Sequence, residues 1–128
     1  MVGAMNDEPI TAATIATEIR SALEAADLST YASLLAPDVT WGAPGDPEPA
    51  CRNRGQVLAW YSRGRDAGTT ARVTEVTVLD DDKILVGLMV KRDGEYAERW
   101  QILTVGQVGV ADIRGFEDRP SATAFARV

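Results

Sequence analysis

The chain has 128 residues, a formal net charge of −6, no histidine and one cysteine. This length fits one domain, and we expect residues 1–9 to be a frayed terminus and residues 10–128 to form that domain. The acidic charge disfavours nucleic-acid binding, because it repels phosphate backbones. Without histidine or a second cysteine, a Ser-His-Asp triad, a Cys-His site and a Cys/His zinc site are all excluded. We therefore expect neither a metal nor a cofactor.

The chain has no sign of a membrane or secretory segment. No apolar run approaches the about 20 residues that a membrane-spanning helix needs, so we expect no membrane contact. Residues 1–9 carry Asp7 and Glu8 and lack the basic and apolar regions of a signal peptide. A single thiol without such a signal is typical of the cytoplasm, where we expect this protein.

The first half of the chain has helical patterning. Apolar residues at helical spacing predict a helix at residues 10–26, capped by Asp7 or Thr11. Asp27 can cap a second short helix that ends before Pro37, because the residue before a proline avoids the α region. A strand, an irregular loop and a third helix follow, at residues 38–41, 42–50 and 56–65.

The second half alternates apolar and polar residues and is interrupted only at turn-forming sequences, of which Asp93-Gly94 is a strong hairpin signal. A last short helix is expected within residues 118–128. This order predicts an α+β fold in which a curved antiparallel sheet wraps around the helices and can enclose a pocket. The four predicted strands are residues 71–79, 84–91, 96–105 and 110–117.

The predicted strand at 96–105 places Arg99 and Gln101 on one face with Leu103. If that face meets the helices, two polar side chains enter an apolar cavity. Buried polar groups cost free energy unless they are paired, and a ligand can supply the partner. The alternative is that Arg99 lies at the strand end and pairs with a surface carboxylate.

The predicted strand at 84–91 is apolar on both faces. Such a strand needs a cover on each side. The helices cover one face, and a second subunit is the obvious cover for the other. We therefore expect a homodimer.

Three segments carry a family resemblance. They are residues 37–41 (Pro-Asp-Val-Thr-Trp), 55–61 (Gly-Gln-Val-Leu-Ala-Trp-Tyr) and 113–118 (Ile-Arg-Gly-Phe-Glu-Asp). With the two N-terminal helices and the Gly/Pro-rich loop, residues 11–126 resemble the nuclear transport factor 2-like superfamily, in particular its SnoaL-like branch. The resemblance implies a cystatin-like cone with a pocket at its open end, often in a dimer. It leaves the activity open, since members include ketosteroid isomerases, polyketide cyclases, scytalone dehydratases and epoxide hydrolases.

The resemblance transfers few catalytic residues. Arg99 falls where the epoxide hydrolases have a catalytic arginine, but Gln101 and Gly115 stand where their aspartates would be, and neither can act as a base. The dehydratases need histidines. Cyclases and isomerases use an inward carboxylate, and alternation alone does not say which strand residues point inward. The candidates for such a base are Asp38, Glu75 and Glu98.

Aromatic residues are candidates for the pocket wall, since Tyr and Trp combine an apolar body with a polar handle. Core packing is the alternative role. Three functions stay open: binding of a small hydrophobic or oxygen-rich molecule, an isomerase or polyketide-cyclase reaction on a carboxylate base, and a dimerising module with an incidental cavity. The predicted ligand-binding residues are Arg99, Gln101, Trp41, Trp60, Tyr61 and Tyr31.

Overall fold

The structure, a computed structural model, describes residues 11–45 and 48–127. The predicted frayed segment 1–9 and the candidate cap Asp7 lie outside these residues. None of the helices within the described ranges is long and apolar enough to cross a membrane. In chain order the elements are α1 (Ala12–Glu24), α2 (Leu28–Ser33), β1 (Leu35–Gly42), α3 (Arg54–Asp66), β2 (Thr70–Asp80), β3 (Lys83–Arg92), β4 (Glu95–Gly106), β5 (Gly109–Phe116) and α4 (Arg119–Ala126).

The strands form one five-stranded sheet in the order β1-β5-β4-β3-β2. The predicted antiparallel meander is confirmed for β2 to β5. The sheet is mixed, however, because β1 lies at its edge and runs parallel to β5. The α+β class is therefore confirmed, while the expectation of a wholly antiparallel sheet is corrected at this one strand.

Of the two predicted caps for α1, the structure shows Thr11. Its hydroxyl accepts from the Thr14 backbone N–H, and the Thr14 hydroxyl accepts from the Thr11 N–H at 2.9 Å. This reciprocal pair satisfies two donors that the first helical turn leaves unpaired. The buried stripe of α1, at Ala12, Ile15, Ile19 and Ala22, matches the predicted helical spacing.

The boundary between α2 and β1 differs from the prediction. The helix ends at Ser33 and the strand begins at Leu35, three residues before the predicted start. Pro37 thus lies inside a strand rather than just after a helix. An edge strand tolerates proline, since its missing N–H can face away from the sheet. The Val110 N–H donates to the Leu34 carbonyl at 2.9 Å, which draws this segment onto β5.

The hairpin between β3 and β4 has the predicted turn. Asp93 and Gly94 both have positive φ, at 53° and 80°. A two-residue turn with positive φ at both positions matches the right-handed twist of the flanking strands. This turn fixes the register that places Gln101 opposite Val86 and Arg99 opposite Leu88.

Both faces of the sheet are covered within the chain. The inner face, which meets α1, carries Ile84, Val86 and Leu88 of β3 in the main core. On the outer face, Leu85 packs in a second cluster with Ala122 of α4. The helix α4 therefore accounts for the two-sided apolar pattern of β3 without a second subunit. The homodimer stays a prediction, but this pattern no longer requires it.

Candidate functional site: a cavity at the open end of the cone

A cavity of about 980 Å³ that is partly open to solvent lies between the helices α1, α2 and α3 and the inner face of the sheet. It extends around the end of the sheet to Trp100, Phe116 and Ser121, next to α4. Every predicted ligand-binding residue lies on its wall, whereas the role of these residues in binding stays a prediction. They come from four different elements, α2, β1, α3 and β4, and the fold brings them together. The six are Tyr31, Trp41, Trp60, Tyr61, Arg99 and Gln101.

Four aromatic rings form a continuous row, which we call the aromatic row: Trp60, Trp41, Tyr61 and Tyr31. The Trp60 and Trp41 ring centroids are 6.0 Å apart, Trp41 and Tyr61 stack at 5.0 Å, and Tyr61 meets Tyr31 edge-on at 5.4 Å. Trp60 is 52% exposed and Tyr31 only 1%. The row therefore leads from the protein surface into the core.

Gln101 is the buried polar residue at the inner end of the row. It is 6% exposed and lies beside the Tyr61 hydroxyl, whose pKa its amide group lowers. Its carbonyl oxygen, Oε1, has no hydrogen-bond partner within the described chain. An acceptor left buried and unpaired costs about 1–3 kcal/mol. Trp100 Nε1 is a second buried side-chain atom without a partner within the described chain, and both atoms have almost no solvent-accessible surface.

The two tyrosines beside Gln101 are neutral at ordinary pH. Burial raises the pKa of Tyr61, although hydrogen bonds from Tyr31 and Gln101 act in the opposite direction. Burial also holds the pKa of Tyr31 well above its usual range. Their hydroxyl oxygens lie 3.5 Å apart. The inner end of the cavity is therefore uncharged and polar.

Arg99 shares the inner face with Gln101 but lies further out. It is exposed, lines the cavity, and donates from Nη1 to the Glu98 carbonyl at 2.9 Å. Across residues 11–45 and 48–127, it forms no ion pair with a carboxylate. The alternative prediction, that Arg99 pairs with a surface carboxylate, is therefore not what the structure shows. Its positive charge lies at the cavity mouth.

The structure does not support the prediction of Glu75 as a candidate base. Val73 pairs with Leu88 and Glu75 with Gly87, so a bulge at the intervening Thr74 turns Glu75 to the outer face. There its carboxylate accepts two bonds from Arg119, at 3.0 Å and 2.8 Å. These bonds lower its pKa, with a further contribution from Thr77. Glu75 does not line the cavity.

The other predicted carboxylates also lie away from the cavity. Asp38 is exposed on the edge strand β1, and Glu98, opposite Met89, is exposed on the outer face. The described carboxylates on the cavity wall are Glu117 and Asp118, both exposed. Asp118 caps α4, and hydrogen bonds from the Ser121 backbone and side chain lower its pKa. Neither of these two carboxylates is buried in the cavity, as an inward base would be.

Part of the wall was not singled out from the sequence. Three further wall residues are Leu23 of α1, Leu28 of α2 and Ala26 between these helices. Nothing in the sequence distinguishes an apolar side chain on a cavity wall from one in the core. Gly115 is more informative. A Cβ there would meet nothing within 4 Å, although Gly115 pairs with Gln101 in the sheet. The cavity therefore reaches the sheet directly beside Gln101.

The described residues include no group of three or more His, Cys, Asp or Glu side chains that could hold a metal ion. The thiol of Cys51 is buried, and burial raises its pKa. Its backbone pairs with that of Trp41 through two hydrogen bonds of 3.0 Å. These bonds hold Trp41 in the aromatic row, so the Cys51 segment supports the cavity wall.

No family model matches this sequence, and none of the curated proteins matches it. Solved structures do match. A protein from Sinorhizobium meliloti, provisionally assigned as a polyketide cyclase, is 22% identical, with a TM-score of 0.61 over 80% of this chain and 94% of that one. One from Kribbella flavida, provisionally assigned as a ketosteroid isomerase, is 20% identical, with a TM-score of 0.67 over 83% and 76%.

A protein of unknown function from Burkholderia xenovorans, described as NTF-2-like, is 14% identical, with a TM-score of 0.66 over 84% of this chain and 83% of that one. Other matching structures are described as cystatin-like. At these identities the likeness concerns the fold, and it confirms the resemblance drawn from the sequence at that level. The chain thus has an α+β, cystatin-like fold, which it shares with proteins described as NTF2-like.

Proposed function

We propose that this protein binds a small, largely apolar molecule in the cavity. The observation that carries the proposal is the aromatic row on the cavity wall, whose rings lead from the exposed Trp60 to the buried Tyr31. The cavity volume of about 980 Å³ is also within the range of small-molecule sites.

Binding is better supported than catalysis by a carboxylate base. A cyclase or isomerase of that kind needs an inward carboxylate, commonly one whose pKa burial has raised. The candidates Glu75 and Asp38 lie outside the cavity, and Glu117 and Asp118 are exposed at its mouth. The names of two structural neighbours refer to reactions on small organic molecules, which agrees with a small-molecule pocket but assigns no reaction to this chain.

Arg99 suggests the chemistry of the outer end of the ligand. Its guanidinium lies at the mouth without a carboxylate partner among the described residues. A carboxylate, an enolate or another oxygen-rich group would suit it, because a guanidinium presents several donors in a planar fork. The proposed ligand is therefore apolar along the aromatic row and oxygen-bearing at its outer end.

We also propose a cytoplasmic homodimer. The reduced, buried Cys51 agrees with a reducing compartment. The strand β2 has 11 residues and is an edge of the sheet, and edge strands present unpaired backbone groups to a second chain. Sedimentation at high micromolar concentration tests the dimer, and a single monomeric species would contradict it.

The proposed function is tested by thermal unfolding with neutral and carboxylated aromatic compounds. A compound at 100 times its Kd should stabilise the fold by about 2.7 kcal/mol, which corresponds to a Tm shift on the order of 10 °C. Bound compounds should also quench tryptophan fluorescence, and Trp60→Phe should reduce the quenching. If no compound in the panel shifts Tm, the cavity is incidental. If a bound compound is turned over, the enzyme hypothesis regains support.

A further inference from the structure

We infer that Arg65, Thr69 and Arg92 form a phosphate-binding site at the edge of the cavity, which we call the arginine site. This inference rests on the proposed function and narrows it to a ligand class. The cavity would take phosphate monoesters of flat apolar compounds in preference to less charged compounds of the same shape. The juxtaposition behind it is two arginines without an ion pair in the described chain, a hydroxyl group beside them, and an aromatic wall that leads away from them.

The ends of α3 and β3 bring the arginine site together. Arg65 lies in the last turn of α3, and the Thr69 N–H donates to a carbonyl of that helix at 2.9 Å. Thr69 directly precedes Thr70, the first residue of β2, which pairs with Lys91, the neighbour of Arg92 on β3. All three residues of the arginine site line the cavity. The fold therefore places them at neighbouring positions on one part of the wall.

The two guanidinium groups are not neutralised by a bound carboxylate. Across the part of the chain that the structure describes, neither Arg65 nor Arg92 forms an ion pair. Glu95 is the cross-strand neighbour of Arg92, but the two form no ion pair and Glu95 does not line the cavity. The last carbonyls of α3 do not need Arg65 either, because they accept from the backbone N–H groups of residues 67–69. Both positive charges are thus open to a bound anion.

The other charged residues of the wall lie nearer the opposite end of the cavity. Arg99 pairs with Leu88, four residues before Arg92 on β3. Glu117 directly follows β5, whose last residue pairs with the residue after Arg99, and Asp118 is next in the chain. The two carboxylates therefore lie on the same side as Arg99, and they would repel an anion there. The arginine site is the part of the wall that is positive without a carboxylate beside it on the wall.

The donors of the arginine site match a phosphate group. A phosphate monoester carries about two negative charges near neutral pH and has three terminal oxygens. A guanidinium presents its donors in a planar fork that fits such oxygens, and the Thr69 hydroxyl adds a further donor. A carboxylate, with one charge and two oxygens, would use only part of this set.

The aromatic row leads to the arginine site along α3. Arg65 follows Tyr61 by four residues, so the two side chains lie on the same face of the helix, about 6 Å apart along its axis. Tyr61 stacks on Trp41 in the row. A flat ring bound along the row can therefore direct a phosphate on its edge toward Arg65.

The inference is tested with three probes, 2-naphthyl phosphate, 2-naphthyl sulfate and 2-naphthol, whose Kd values are measured by calorimetry at pH 7.5. The two esters have nearly the same shape, but the phosphate carries about one more negative charge. At low salt we expect the phosphate to bind at least about fivefold more tightly than the sulfate, since each exposed charge pair contributes modestly. This preference should shrink in about 1 M NaCl, where the Debye length is about 3 Å.

Three variants locate the effect. Arg65→Met and Arg92→Met each remove one exposed charge, so the preference for the phosphate should fall below about twofold while the Kd of 2-naphthol stays nearly unchanged. Arg72→Met is the matched control, because Arg72 is exposed opposite Met89 on the outer face, and it should keep the full preference. If a variant fails to fold, the probe comparison and its salt dependence in the wild-type protein decide the matter.

Each other outcome is decisive. Equal Kd values for the two esters would overturn the phosphate inference, and binding of 2-naphthol would leave the proposed function standing. A preference that survives in both Arg65→Met and Arg92→Met would also overturn it, because the phosphate would then lie elsewhere. If none of the three probes binds, the inference and the proposed function both fail.

Discussion

The six-membered ring of Trp100 occupies the space that a side chain at Gly87 would take. The two residues face each other across β3 and β4. A Cβ at Gly87 would lie 2.6 Å from Trp100 Cζ3 and 2.8 Å from Thr74 Oγ1. The missing side chain therefore lets the indole lie against the outer face of the sheet, where it packs in the cluster that α4 covers.

Gly87→Ala should destabilise the fold by about 1–3 kcal/mol, because the added methyl group forces the indole off the sheet. Urea unfolding measures the change. The control is Gly115→Ala, in which the Cβ has open space and the loss of unfolded-state freedom should make the fold equal or slightly more stable. Equal destabilisation by the two substitutions would show that the Trp100 contact does not matter.

Gly115→Leu should separate binding from folding. The leucine side chain would extend into the cavity beside Gln101, where the structure has open space, so the free energy of unfolding should change by less than about 1 kcal/mol. Affinity for an aromatic compound that binds in the cavity, such as 2-naphthol, should fall tenfold or more, because the side chain fills cavity space beside Gln101. Calorimetry measures the affinity and urea unfolding the stability. Unchanged affinity would mean that the probe binds elsewhere.

Local patterns in the sequence were enough to predict that Arg99 and Gln101 lie on the same face of β4. The Asp93-Gly94 turn sets the register of that strand, and alternation then places Arg99 and Gln101 on one face. Local patterns were not enough for β2, where the bulge at Thr74 reverses the alternation and places Glu75 on the outer face. A bulge depends on the partner strand, which no local pattern records.

Local patterns also could not predict which segment covers the outer face of the sheet. The two-sided apolar pattern of β3 was correctly predicted to need a cover on each face, but a pattern does not name the cover. Leu85 meets Ala122 of α4, at the far end of the chain. The parallel pairing of β1 with β5 is likewise a contact between distant segments. Such contacts follow from how the whole chain closes around its core rather than from local propensity.

Arg99→Met should weaken the binding of carboxylated ligands and leave the fold intact. The guanidinium is exposed at the mouth, so the free energy of unfolding should change by less than about 0.5 kcal/mol. The preference for 2-naphthoic acid over naphthalene, measured by calorimetry, should fall several-fold, and its salt dependence should disappear with the charge.

Arg72→Met is the matched control for that substitution. Arg72 is also an exposed arginine on a strand, but it lies opposite Met89, on the outer face of the sheet. Its replacement should leave both affinities unchanged. A large loss of stability in Arg99→Met alone would instead show that Arg99 is a structural residue.

Glu75→Gln should lower stability in a pH-dependent way and leave ligand binding unchanged. Hydrogen bonds from Arg119 hold the pKa of Glu75 below its ordinary value of 4.5, so the folded state favours the charged form. The stabilisation is therefore present above pH 4.5 and disappears as the pH falls through the lowered pKa. Because Arg119 is 47% exposed, solvent screening keeps the effect at pH 7 small, as for other surface ion pairs. Urea unfolding at pH 7 and pH 3 measures this effect, and the difference in stability between wild type and Glu75→Gln should be smaller at pH 3. The control is Glu98→Gln, an exposed substitution on the same face, which should be as stable as wild type. If Glu75→Gln loses as much stability at pH 3 as at pH 7, then packing, and not the charge of this pair, holds α4 against the sheet.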